Sequence, residues 1–177
     1  MDEERIRQRI VRTLGRVDSV LDIGCGSGDL VRFLARNVCK EALGIDLKAT
    51  EFHERIEGDR SAGCVKGDAS FMKPLADDRF DAVVVVRTLH ELSDPGKALL
   101  EAIRVLKRGG MIFIADFAKG HEGERLWGER FYSPEQVREM LSEAGFEEVN
   151  VKEVPDERFI FASARKPMEK RPDFIEG

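Results

Sequence analysis

Val20-Leu21-Asp22-Ile23-Gly24-Cys25-Gly26-Ser27-Gly28-Asp29-Leu30 runs from a β-branched strand into a turn with a glycine at every second position, and on into a helix. The helix is marked by Leu30, Val31, Leu34, Ala35 and Val38, which recur on one face. Glycines at 24, 26 and 28 let the chain bend tightly and leave main-chain atoms open to a ligand. A dinucleotide fingerprint would put its third glycine at position 29, where this chain has Asp29. A carboxylate is poorly matched to a pyrophosphate at a helix N-terminus, which disfavours a nicotinamide cofactor.

Outward from this turn, β-branched runs at 17–23, 41–46, 64–68, 80–86 and 111–117 alternate with helical patterns. Such alternation predicts an α/β protein with a parallel sheet covered on both faces. Val83-Val84-Val85-Val86 has no polar alternation, as a central strand buried on both sides requires. Asp94 as N-cap and Pro95 at the first helical position open a helix whose apolar face is Ala98, Leu99, Ala102, Val105 and Leu106, running to Gly109-Gly110. Ser133 and Gln136 have capping-box spacing, and the helix they open ends at Gly145. An N-terminal helix carries Ile6, Ile10, Val11 and Leu14 on one side. After Gly145, FEEVNVKEV and RFIFASARK leave room only for the turn at Pro155-Asp156, so they pair as an antiparallel hairpin at the sheet edge. The long irregular stretch 118–132 is a lid candidate.

A length of 177 residues predicts a single domain, here 1–167, with a polar tail over 168–177. Lys and Arg number 29 against 34 Asp and Glu, for a net charge of −5, which argues against a domain built chiefly to grip phosphate backbones. Cys25, Cys39 and Cys64 have neither disulfide-framework nor zinc-ligand spacing, so free thiols and no metal are expected. The charged start and the lack of a long apolar run predict a cytoplasmic protein that does not enter a membrane.

Asp46 ends the second strand 22 positions after Gly24, where a carboxylate accepts both hydroxyl hydrogens of a ribose or simply caps the turn. Asp68, in Lys66-Gly67-Asp68-Ala69-Ser70, is placed to accept from an adenine amine or to cap the next segment.

With these pieces in order, the chain resembles the class I S-adenosylmethionine-dependent methyltransferases. The resemblance rests on VLDIGCGSG, GIDL, GDAS, FDAVVVVRTLHEL and VLKRGGMIFIADF, and covers about residues 17 to 166. It implies a three-layer Rossmann-like methyltransferase fold with a seven-stranded sheet in the order 3-2-1-4-5-7-6, strand 7 antiparallel. It also implies cofactor contacts from Asp22, Gly24, Cys25, Gly26, Asp46, Leu47, Asp68, Ala69 and Arg87. Gly24 and Gly26 would border the methionine moiety, Asp46 would hold the ribose, and Asp68 with Ala69 would frame the adenine.

Arg87-Thr88-Leu89-His90-Glu91 leaves the fourth strand toward the reacting methyl. His90 is the candidate general base, with a scaffold role as the alternative. Arg87 contributes only its backbone at the cofactor, or its side chain pairs with a carboxylate such as Glu91 or Asp116 or with an anionic substrate, since a cation near a sulfonium is otherwise unhelpful. Trp127, Phe131 and Tyr132 either stack on a planar substrate or close a small core, and His53 and His121 are expected to be solvated. The absence of an Asn/Asp-Pro-Pro-Tyr/Phe sequence after the fourth strand and of a Pro-Cys nucleophile disfavours DNA bases as acceptors. A small metabolite is the expected acceptor, selected by the N-terminal helix, the 118–132 loop and a second subunit of a homo-oligomer. The alternatives are a tRNA or protein acceptor served by a positive stripe at Arg125, Arg130 and Lys166–Arg171, a non-catalytic cofactor-binding subunit, and a nicotinamide oxidoreductase.

Overall fold

The computed structural model describes residues 1–169 of the chain. Its strands are β1 Ser19–Ile23, β2 Glu41–Asp46, β3 Phe52–Arg55, β4 Ser61–Lys66, β5 Phe80–Val86, β6 Leu106–Phe117, β7 Glu147–Val154 and β8 Phe159–Arg165. The helices are α1 Glu3–Leu14, α2 Asp29–Asn37, α3 Pro95–Val105, the short α4 Gly123–Leu126 and α5 Pro134–Glu143. All strands lie in one sheet, ordered β3-β4-β2-β1-β5-β6-β8-β7. Neighbouring strands from β4 through β6 run parallel, whereas β8 is antiparallel to both β6 and β7. Without β3, the sheet has the order expected from the resemblance.

The additional edge strand is a correction to the seven-stranded expectation. Phe52–Arg55 pairs antiparallel with β4, and the Phe52 ring lies 3.9 Å beneath the Arg32 guanidinium carbon. Arg32 also bonds Glu54 at 2.8 Å. The strand is therefore held by contacts with α2, which a four-residue window does not reveal.

Strand periodicity sorts the core into two layers. Leu21, Ile23, Val83, Val85, Ile112, Ile114 and Ile160 pack with α3 and α5, while Val20, Ala42, Val84, Phe113 and Phe161 pack with α1 and α2. Successive strand residues point to opposite faces, so an unbroken apolar run serves both layers at once. The helix ends follow local chemistry. Asp94 accepts from the Lys97 amide at 3.0 Å, and Ser133 and Gln136 close a reciprocal capping box.

Two expectations shift at the level of single residues. The third helix stops at Val105 rather than at Gly109-Gly110, because Leu106 already pairs with Phe80, and the register slips before Ala82 meets Met111. In α1, Ile6 and Ile10 are buried but Val11 is exposed, so the apolar stripe is narrower than expected. Residues 170–177 of the expected tail lie outside the described residues. Among the described residues no helix is long and apolar enough to cross a membrane.

Candidate functional site

At the carboxyl ends of β1, β2, β4 and β5 the structure has a cavity of about 330 Å³, within the size range of small-molecule sites. Its walls include Gly24, Gly26, Asp46, Leu47, Asp68, Ala69, Thr88 and Glu91. Six of the residues singled out from sequence therefore meet in one place.

The glycine turn shapes the floor. Gly24 has φ +81°, and a Cβ there would fall 2.2 Å from the Thr88 side chain. At Gly26, φ +49°, a Cβ would meet nothing within 4 Å, so this main chain faces open space. Asp46 reaches across to the same turn, its Oδ2 accepting from the Gly26 amide at 3.2 Å and its Oδ1 from the Lys48 amide at 2.7 Å. Asp68 accepts from the Ser70 amide at 2.8 Å and is otherwise exposed at the far wall. The exposed main chain at Gly26, the Asp46 carboxylate and the mixed polar and apolar lining fit an adenosyl ligand.

Three sequence candidates do not line the cavity. Asp22 is 2% exposed within β1, and burial, with the nearby charge of Asp46, pushes its pKa up to about 7. The folded state thus holds a proton that the unfolded chain releases near the ordinary carboxylate value, so stability falls as pH rises from about 4 through 7. Asp22→Asn should raise the melting temperature of the ligand-free protein at pH 8 by about 2–4 °C and change it little at pH 4, as thermal unfolding across pH would show. Cys25 is tucked over Gly44, and burial raises its thiol pKa well above the ordinary range, which leaves it inert as a nucleophile.

Arg87 is the third. It leaves β5 with φ +52°, its amide donating to the Ala115 carbonyl at 2.7 Å. Its Nη2 donates to the Met1 carbonyl at 2.7 Å, and its guanidinium carbon lies 5.8 Å from the Phe117 ring centre. The expected internal pairing with Glu91 or Asp116 does not form: Asp116 is bonded to His90, and the largely exposed Glu91 lies nearer the His90 ring.

His90 is clamped from two sides. Its Nδ1 is 2.8 Å from Asp116 Oδ1, and its Nε2 is 3.8 Å from Glu91. Asp116 Oδ2 also accepts from the His90 amide at 3.1 Å, and the imidazole packs edge-on to Phe131. Burial pushes the His90 pKa down, but the bond and charge of Asp116, helped by Glu91 and Glu129, override it and the net direction is up. A raised imidazole stabilises the fold fully below its unfolded pKa and loses that contribution as pH rises through the folded one. The stability advantage of wild type over Asp116→Asn should therefore shrink steadily from pH 6 to pH 9, as denaturant unfolding would measure.

The 118–132 loop is tied at its base, where the Lys119 amide donates to the Tyr132 carbonyl at 3.0 Å. Phe131 is buried at 2% exposure, which settles it as core, but Trp127 is 56% exposed. His121, expected to be solvated, instead lies 4.6 Å from the Phe117 ring and accepts from the Gly123 amide. Of the positive stripe considered for a tRNA or protein acceptor, Arg125 and Arg130 are exposed, Lys166 is bonded to Asp78 at 2.7 Å and to two backbone carbonyls, and Lys170 and Arg171 lie outside the described residues. Thr88, Leu92 and Ser93 also line the cavity and went unassigned in the sequence. Their signal was the segment after β5, which sequence reading tied to the reacting methyl rather than to the cavity wall.

Comparison with known proteins agrees with this geometry. The model of a methyltransferase domain family matches residues 21–114. The demethylmenaquinone methyltransferase of Clavibacter sepedonicus is 35% identical over 109 residues, 57% of this chain and 42% of that protein. The mitochondrial arginine-hydroxylase NDUFAF5 of Danio rerio is 28% identical over 145 residues, 80% of this chain and again 42% of the relative. The chain thus spans less than half the length of these curated relatives. Among solved structures, a S-adenosylmethionine-dependent methyltransferase of Thermotoga maritima, described as a possible histamine N-methyltransferase, superposes with a TM-score of 0.65 at 26% identity, over 90% of this chain and 87% of that one. The glycine turn, the acid ending β2 and the match over 21–114 identify the chain as a member of the methyltransferase-domain family, in the class I S-adenosylmethionine-dependent branch.

Proposed function

We propose that the protein transfers a methyl group from S-adenosylmethionine to a small organic acceptor entering beside the carboxyl ends of β5 and β6. The observation that carries this is the pairing, within one cavity, of bare main chain at Gly24 and Gly26 with the Asp46 carboxylate. When bound, the cofactor supplies an electrophilic methyl on a leaving group that departs as a neutral thioether, so the protein's task is chiefly alignment.

In this reading the Gly24 and Gly26 main chain borders the amino-acid end, and Asp46 accepts from the ribose hydroxyls. Leu47, Asp68 and Ala69 frame the adenine, while Asp22 and Cys25 support the turn from behind. Arg87 contributes beside the acceptor rather than at the cofactor. His90 is a positioning residue: bonded through its amide and Nδ1 to Asp116, with Glu91 3.8 Å from its Nε2, it fixes the Thr88–Glu91 segment against the cavity. A small acceptor is supported by the demethylmenaquinone methyltransferase relative.

Incubation with methyl-tritiated cofactor and separate metabolite, RNA and protein fractions tests the assignment. Label in the metabolite fraction is expected. Label confined to RNA or protein would overturn the acceptor class. The arginine-hydroxylase relative favours one second reading, an adenosyl-binding module whose chemistry is not methyl transfer. Saturable cofactor binding with no label in any fraction would favour it.

A further inference from the structure

Among the described residues Arg87 has no carboxylate partner. Asp116 is hydrogen-bonded to His90, Glu91 lies 3.8 Å from the same ring, and neither pairs with Arg87. Its Nε is buried without a hydrogen-bond partner, and one Nη meets only the Met1 carbonyl. A partly buried guanidinium lacking a counter-ion is costly to keep. The residue also sits in left-handed backbone, which an arginine adopts only when its surroundings impose it. Strain and an unmet charge coincide at one position, adjacent to the cavity-lining Thr88.

The surroundings are aromatic. The Phe117 ring lies 5.8 Å from the Arg87 guanidinium carbon on one side, and its centre is 5.6 Å from that of Trp127 and 4.6 Å from that of His121. Trp127 is exposed although it belongs to this cluster, so the group of edge-on and tilted rings has an open side. A guanidinium without a counter-ion beside a partly exposed aromatic cluster matches a flat, conjugated molecule carrying a delocalised oxyanion.

We infer that Arg87, with the Phe117–Trp127 wall, forms the acceptor subsite, and that the acceptor is a planar conjugated oxyanion, a carboxylate or an enolate. This rests on the methyl-transfer reading above and names its substrate class. The chemistry balances: an electron pair of the acceptor forms the new bond to the methyl carbon, and the carbon–sulfur pair returns to sulfur. The negative charge of the acceptor and the positive charge of the sulfonium cancel, and Arg87 keeps its protons throughout. An anionic acceptor also removes the repulsion between Arg87 and a sulfonium in the same site.

Trp127 is the single tryptophan of the chain, so its fluorescence reports this wall directly. The full-length protein, saturated with S-adenosylhomocysteine, is titrated with 4-nitrobenzoate, 4-nitrophenolate and neutral 4-nitrobenzamide. An anion is expected to quench Trp127 saturably and to bind about tenfold more tightly than the amide, a preference that falls to about twofold or less in Arg87→Met. The more tightly held anion identifies the oxyanion type. Equal affinity for anion and amide in wild type, or a preference that survives Arg87→Met, would overturn the subsite. Should Arg87→Met not fold, Arg87→Lys, which keeps the charge and loses the fork, is expected to show an intermediate preference, and an unchanged one would count against the inference. Calorimetry with S-adenosylhomocysteine separates the two levels: cofactor binding without anion preference sinks the subsite alone, and no cofactor binding sinks the function beneath it.

Discussion

Asp46→Ala should weaken binding of S-adenosylhomocysteine by about 1.5–3 kcal/mol, or roughly 10- to 150-fold, the scale for losing a charged hydrogen-bond partner. The carboxylate does two things at once. It lines the cavity, where in the proposed reading it accepts from the ribose hydroxyls, and it accepts from the Gly26 and Lys48 amides, so it also shapes the turn that borders the cavity. Asp46→Asn separates these roles. An amide oxygen can keep one backbone bond but offers a single acceptor and no charge, so affinity should fall by less than in Asp46→Ala. Removing the charge also relieves Asp22, whose proton uptake Asp46 promotes, so the ligand-free variants should unfold at temperatures close to wild type at pH 8. Isothermal calorimetry beside thermal unfolding reads both. An unchanged affinity in Asp46→Ala would remove the ribose assignment.

Much of this site was legible in the sequence because its parts are local. A glycine turn after a strand and an acid at the next strand end are each set by a few consecutive residues, and the parallel alternation fixes their distance in space. Thus Gly24, Gly26, Asp46, Leu47, Asp68 and Ala69 fall on one cavity as expected. The misses depend on contacts between distant segments. Phe52–Arg55 becomes a strand only because Phe52 finds Arg32, twenty residues earlier. Val105 ends its helix because Leu106 finds Phe80 across the sheet. Sequence reading left the Arg87 side chain with two destinations, an internal carboxylate or an anionic substrate. Only the fold shows that Asp116 is bonded to His90 and that neither internal candidate pairs with Arg87 among the described residues.

The same comparison explains which glycine is most costly to replace. Gly24→Ala should destabilise the protein by about 2–4 kcal/mol, lowering the melting temperature by roughly 5–15 °C. Two costs add. Left-handed backbone at φ +81° penalises any Cβ, and that Cβ would overlap the Thr88 side chain at 2.2 Å, with Thr88 itself 7% exposed and bonded to the Val86 carbonyl at 3.0 Å. Thr88 has no room to retreat without breaking the exit from β5, so cofactor affinity should fall together with stability. The two costs can be pulled apart. Gly24→Ala combined with Thr88→Gly removes the overlapping atoms and should recover the steric share, leaving about 1–2 kcal/mol of backbone strain. Gly26→Ala tests the opposite case. Its backbone is also left-handed, but its Cβ would enter open cavity, so stability should fall by only about 1–2 kcal/mol. Its loss of S-adenosylhomocysteine affinity should nevertheless match or exceed that of Gly24→Ala, because the added methyl occupies the ligand's own space. If Gly26→Ala bound the ligand like wild type, the main chain at this turn would not be the surface on which the ligand lies.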